Sequence, residues 1–309
     1  MFKSPRALLK TYRLGFEGAL CDPIDVDKLL GDLPHPLFGA AAWGLEESGA
    51  GNVSLPFKSL TKFDPGFGPS ERQTTGDCVS HAVRNAIDIT RSVEIDQGEL
   101  ESFITRGATE AIYGSRGHAG QGMHCSRAAR FVHERGGILL RQKYPTLFLD
   151  FSIYDSELGI KWGKRGVPDN VKKEAKKHQV KTVSLVTTVS EARDALANGY
   201  ALAVCSNQGF SSRRDVHGIA KPSGIWHHAM CWCACDDSKE IYNETLFLVA
   251  NSWGLWNSGP KRHDQPDGSF WIREKVARSM LEQRGAWAFS NVDGFPAKTL
   301  PDYGTSDFL

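Results

Sequence analysis

The chain has 309 residues, enough for one large domain or two lobes sharing a cleft. Its composition, 40% hydrophobic and 24% charged, is that of an ordinary globular protein, and a formal net charge of +1 points to neither nucleic acid nor an anionic membrane as partner. No apolar run reaches the length of a membrane span and the N-terminal stretch has no apolar core of leader length, so neither a transmembrane helix nor a signal peptide is expected.

Residues 1–54 read as an N-terminal extension, a soft Gly-rich link "ESGAGN" lying near its end. A polar approach, "LPFKSLTKFDPGFGPSE", leads to "QTTGDCVS" at 73–80, and from Cys78 to about Val93 the apolar positions fall on one helical face. Further helices are predicted over "SRAARFVHERGG", stopped by Gly136-Gly137, and over "DNVKKEAKKH", whose basic run reads as a solvated face. The second half changes character. "KTVSLVTT" reads as a strand, and Thr188 with Glu191 forms a capping box opening a short helix that Gly199 ends. Strands follow in "YALAVCSN", "HHAMCWCAC", "LFLVANS" and "GSFWIRE". The pattern predicts an α+β fold: a helical lobe over 55–180, a β-rich lobe over 181–295 and a tail over 296–309, with a cleft between the lobes.

The seven cysteines are odd in number, in a chain too large to need stapling, and read as mostly reduced thiols in a reducing compartment. Cys231, Cys233 and Cys235 alternate along one strand and read as small core residues, so no metal and no cofactor is expected. Cys78 differs. It begins a helix, where unpaired N–H groups and the positive dipole end favour a thiolate. A thiolate needs a base close in space: His227 and His228 stand at the predicted start of an apolar strand, after the loop "HGIAKPSGIW". It also needs an orienting group. Asn251 ends the strand "LFLVAN" beside Ser252 and Trp253, and its amide can accept an imidazole N–H under the cover of an indole.

Cys78, His228-Ala229 and Asn251-Ser-Trp-Gly, in that order, resemble the landmarks of papain-like cysteine peptidases. His228 lies 150 residues after Cys78 (228 − 78) and Asn251 lies 173 after it (251 − 78). "GGILLRQKYP", "ALANGYALAV" and "DGSFWI" resemble further stretches of that family, so the likeness spans about residues 55–275. It implies a two-lobe fold, a helical lobe against an antiparallel β-barrel-like lobe with the active site in the cleft. It also implies Cys78 as nucleophile, His228 as base and acid, Asn251 as orienting residue and Trp253 as cover and part of the substrate site. Gln73 would be an oxyanion donor, and Gly120 and Gly122 would take the substrate backbone. The substrate would be a protein or peptide. The chain departs from the family's Cys-Gly-Ser-Cys-Trp at Thr75-Gly-Asp-Cys78-Val79: the disulfide cysteine is gone, and Asp77 places a carboxylate beside the thiol. The extension is read either as a propeptide in the cleft or as an arm docking to a larger assembly. Stretches shared with prokaryotic and phage-encoded members suggest a cytoplasmic or virion-associated location. Two other functions fit the same residues: a peptidoglycan amidase or endopeptidase, which "GDCVS" suggests, and a structural protein on a peptidase fold.

Overall fold

The computed structural model describes residues 18–20, 22–66, 71–98 and 105–303. A two-residue strand β1 (Ala19–Leu20) leads into helix α1 (Pro23–Asp32), which Asp22 caps by accepting from the Ile24 N–H at 2.9 Å and which Pro23 starts. The long helix α2 (Cys78–Asp96) carries Ala82, Val83, Ala86 and Ile89 into the core, as its periodicity predicts. Then come α3 (Glu110–Gly114), strand β2 (Met123–His124), α4 (Cys125–Arg130) and α5 (Ser156–Arg165). The helix predicted from Ser126 is shorter than expected: a π-helical turn at Phe131–Arg135 takes over its second half. The helix predicted from Asp169 is α-helical only to Ala175 and closes in a 3-10 turn at Lys176–His178.

The second half is sheet: β3 (Thr182–Leu185), α6 (Val189–Ala197), β4 (Leu202–Arg214), β5 (Ala220–Asp236), β6 (Leu246–Ala250), β7 (Ser269–Arg273), α7 (Glu274–Leu281) and β8 (Ala286–Ser290). The predicted capping box opens α6, with both Thr188 and Glu191 bonds present. The strand order is β7-β6-β5-β4-β8-β3, each pair antiparallel, and Val53–Ser54 adds a short strand to β5. The expectation of a barrel-like lobe is corrected here. β7 and β3 lie at opposite ends and do not pair, so the sheet is open; α2 packs across β4, β5 and β8.

His227 and His228 are not at a strand start, because β5 begins at Ala220. The stretch read as a loop is one arm of a long β4–β5 hairpin whose register shifts between Ser206 and Gln208, Gln208 and Phe210, and Phe210 and Arg214. Bulges of this kind admit Pro222 and Gly224, the residues that mimic a loop in the sequence. Cys231, Cys233 and Cys235 are all buried, and a register shift between Trp232 and Ala234 interrupts their alternation.

Among the described residues Cys78, Cys231, Cys233 and Cys235 are free thiols, as expected of most of them, but one pair departs from the expectation. Cys125, opening α4, is disulfide-bonded to Cys205 in β4, Cα atoms 6.4 Å apart. The two are separated by 80 positions, and only the fold brings them within bridging distance. Disulfides persist in oxidising surroundings, which counts against the reducing compartment. Cys21 lies outside the described residues. Among those described, no helix is long and apolar enough to cross a membrane.

Candidate active site

Cys78 is the first residue of α2 and is fully buried. β5 packs against this helix and brings the His227–Ala229 segment to it; the Ala229 backbone N–H lies within reach of the Cys78 sulfur. His228 is 4% exposed. Its Nε2 lies 2.8 Å from Oδ1 of Asn251, the residue just after β6. Because Oδ1 also receives the Ser252 N–H at 2.8 Å it is the acceptor, so Nε2 carries the proton and Nδ1 keeps the lone pair. Trp253 stacks on the imidazole with ring centroids 4.5 Å apart, and Trp226 packs on Trp253 at 4.8 Å. The sequence-predicted Cys78, His228, Asn251 and Trp253 therefore meet in one place.

Gln73 joins the two halves. Its Nε2 donates to the Thr75 carbonyl at 2.8 Å, Ser252 Oγ donates to its Oε1, and its backbone N–H bonds the Ser252 carbonyl at 3.0 Å. Gly122 lies against the Cys78 loop: a Cβ on Gly76 would be 3.0 Å from its nitrogen. Gly120 is exposed, with His118 its near neighbour. The carboxylate of Asp77 is taken up by Tyr154, whose hydroxyl donates to Oδ2 at 2.7 Å, and by His81, whose Nε2 is 3.4 Å away.

Sequence reasoning offered the extension as an occupant of the cleft but did not single out the residue that covers the thiol. Gly18, just before β1, lies directly on Cys78: a Cβ there would be 2.7 Å from Sγ and 3.3 Å from the His227 carbonyl oxygen. No residue but glycine fits without displacement. The Gly18 carbonyl accepts the Met123 N–H at 3.1 Å, and β1 continues along β2 as a parallel pair. What faces the sulfur is thus an α-carbon, while the adjacent carbonyl is turned to β2. The segment then docks through α1, whose Val26 and Leu29 are buried. Two surface ion pairs run from α1 to the body, Asp32–Arg130 (2.7 Å) and Asp27–Arg284 (2.6 Å), and Asp25 lies 3.6 Å from the His124 ring. A lone glycine far from any motif leaves no signal of this role in the sequence. Tyr154 and Gln121 were missed too, although Gln121 lies between Gly120 and Gly122, and the bond from Ser252 to Gln73 was not foreseen.

Burial governs the electrostatics of the covered site. It pushes the Cys78 thiol up to about 12, with the Asp77 charge adding to the rise and the Ala229 N–H opposing it. It also pushes His228 down to about 4, against the Asn251 hydrogen bond. Burial beneath Gly18 thus favours the neutral form of both groups.

The fold is papain-like. The chain is similar to xylellain, a cysteine protease from Xylella fastidiosa, with TM-score 0.51 and 16% identity over 88% of this chain and 90% of that one. It also aligns with the proform of the ragweed pollen cysteine protease Amb a 11, with TM-score 0.45 and 15% identity over 71% of this chain and 60% of that one. The sequence matches no protein-family model and no curated protein.

Proposed function

We propose that this chain is a papain-like cysteine endopeptidase held closed by its own segment from Gly18 through α1. The observation that carries the reading is the convergence, on a papain-like fold, of a helix-starting cysteine with a histidine whose Nε2 is tied to an asparagine oxygen at 2.8 Å. That tie leaves Nδ1 free of the asparagine and able to take the Cys78 proton. Once the segment lifts, water and substrate dipoles reach both groups, the burial that keeps them neutral is relieved, and the proton moves from sulfur to Nδ1.

The reaction then follows from the residues. The Cys78 thiolate adds to a peptide carbonyl, and the oxyanion forms beside the Cys78 N–H at the start of α2. His228 gives its Nδ1 proton to the leaving amine as the C–N bond breaks, leaving a thioester on Cys78. A water then loses a proton to Nδ1 and attacks the thioester. The carboxylic acid departs and Cys78 is restored. The covering segment escapes this chemistry because its Gly18 carbonyl is committed to Met123.

The test uses the full chain, the Gly18→Val variant and Gly18→Val/His228→Ala. Each is treated with an iodoacetamide or epoxysuccinyl probe, mapped by peptide, and assayed on a casein-derived peptide mixture. Peptide hydrolysis and rapid Cys78 labelling are expected in Gly18→Val, both lost in the double variant and both weak in the parent. Slow labelling of Cys78 in Gly18→Val at the rate of an ordinary thiol, with no hydrolysis, would refute the peptidase reading.

A further inference from the structure

The turn Thr75–Gly76, which delivers the chain to Cys78, is held by a side chain the proposed chemistry does not use. Gln121 belongs to an exposed turn just before β2, yet its Oε1 faces inward and receives three donors: Thr75 Oγ1 at 2.7 Å, the Gly76 N–H at 2.7 Å and the Tyr113 hydroxyl at 3.2 Å. The fit is close. A Cβ on Gly76 would lie 2.8 Å from that oxygen and 3.0 Å from the Gly122 nitrogen. Thr75 is the position at which the resembled motif carries a disulfide cysteine, so in this chain a hydrogen bond stands where that motif has a covalent tie. On its other side Gln121 is one residue from Gly122 and two from Met123, whose N–H binds the Gly18 carbonyl.

We infer that Gln121 is a positioning residue for the reaction. Its carbonyl oxygen fixes the Thr75–Gly76 turn, and with it the Cys78 N–H, in register with the strand that binds peptide backbone. This rests on the peptidase reading. An amide oxygen suits the task because two of its donors belong to the loop that must not move and the third, Tyr113, anchors it to α3. Without the acceptor, the Gly76 N–H and the Thr75 hydroxyl turn to water and the loop gains freedom at the atoms that must meet the oxyanion. A misplacement of ~1 Å there can cost about 100-fold in rate.

The experiment is run in the full-length Gly18→Val background, where the site is open. Gln121→Leu keeps the bulk and removes the acceptor; Gln121→Glu keeps an acceptor oxygen. Gln121→Leu is expected to lower kcat by at least about tenfold with KM changed less than about twofold, because the loss falls on the transition state. Gln121→Glu is expected to restore most of kcat. A kcat for Gln121→Leu within about twofold of the background, or no recovery with Glu, would overturn the inference. If Gln121→Leu fails to fold by circular dichroism, Thr75→Val decides: it removes one of the three donors, and an unchanged kcat would overturn the inference as well. Failure of the peptidase reading looks different, since the Gly18→Val background itself would then neither hydrolyse peptide nor label at Cys78, and both readings would fall.

Discussion

Behind Cys78 the protein is built of paired charges; behind His228 it is built of apolar strands. On the first side, Glu71 bridges Arg84 at 2.7 Å and Arg141 at 2.6 Å, Arg141 reaches Glu110 at 2.7 Å, and Asp88 holds Arg106 at 3.3 Å and the Gly107 N–H at 3.0 Å. On the second, Cys231, Trp232, Cys233 and Ala234 are fully buried beside Phe247 and Val249, with the His228–Asn251 bond at one end of this apolar run and buried Asp236, paired with Arg262, at the other. The loop before Cys78 has little regular hydrogen bonding of its own and is oriented by directional side-chain bonds. His228 sits within a strand ladder that already fixes its backbone. Two mechanical solutions thus meet at the candidate site, and they fail differently.

The largest expected effect is on the charged side. Asp88→Ala removes the buried carboxylate that Arg106 and the Gly107 N–H share, while Arg106 keeps Asp64 and Asn85, and is expected to cost about 2–4 kcal/mol, read as a drop in the denaturant midpoint at unchanged m-value. The comparison fails if the loss is under about 1 kcal/mol. Next, Cys233→Ser puts a hydroxyl on the apolar side and is expected to cost about 1–3 kcal/mol by the same measurement. A neutral result would mean that water or a polar partner reaches that face.

A third prediction concerns pH. Burial holds the Cys78 proton on sulfur in the closed state, and on the proposed mechanism opening moves that proton to His228 without changing how many protons the pair carries, so closure is expected to be insensitive to pH through the neutral range. Above the pH at which the opened imidazolium gives up its proton, the closed state still keeps its thiol proton, held up to about 12, so closure weakens in base. Cleavage within 18–33 by a trace of added protease should therefore be flat between about pH 6 and pH 8 and rise above that range. A rate that climbs as pH falls from about 7 to 5 would mean that opening leaves Cys78 and His228 as independent groups and makes no thiolate–imidazolium pair. The smallest effect is expected at the surface. Asp27→Ala breaks the half-exposed pair with Arg284 and should change stability by less than about 1 kcal/mol, since α1 is held mainly by buried Val26 and Leu29.

Much of the candidate site was legible because it is made of residue types in a recognisable order. Cys78 opens a periodic helix, and Asn251 with its tryptophan ends an apolar strand. The helical half and the strand-rich half were legible for the same reason, each having its own periodicity. The long hairpin was not, because bulges let Pro222 and Gly224 sit in a strand and look like a loop. Nor were the pairings Thr75–Gln121, Asp77–Tyr154 and Cys125–Cys205, each joining positions between 46 and 80 residues apart. Such contacts depend on how the elements pack and leave no local pattern. Gly18 was the least visible, since a glycine advertises nothing until something is found pressed against it.

The Cys125–Cys205 bridge gives this chain a divided redox appetite. On the peptidase reading proposed above Cys78 must remain a thiol, while the bond that staples α4 to β4 must remain oxidised to hold. A reductant strong enough to rescue an oxidised nucleophile can also unlace the staple. The order in which thiols are added or withdrawn during purification will therefore determine which covalent species reaches the assay, and a mass shift of about two hydrogens tells the two apart.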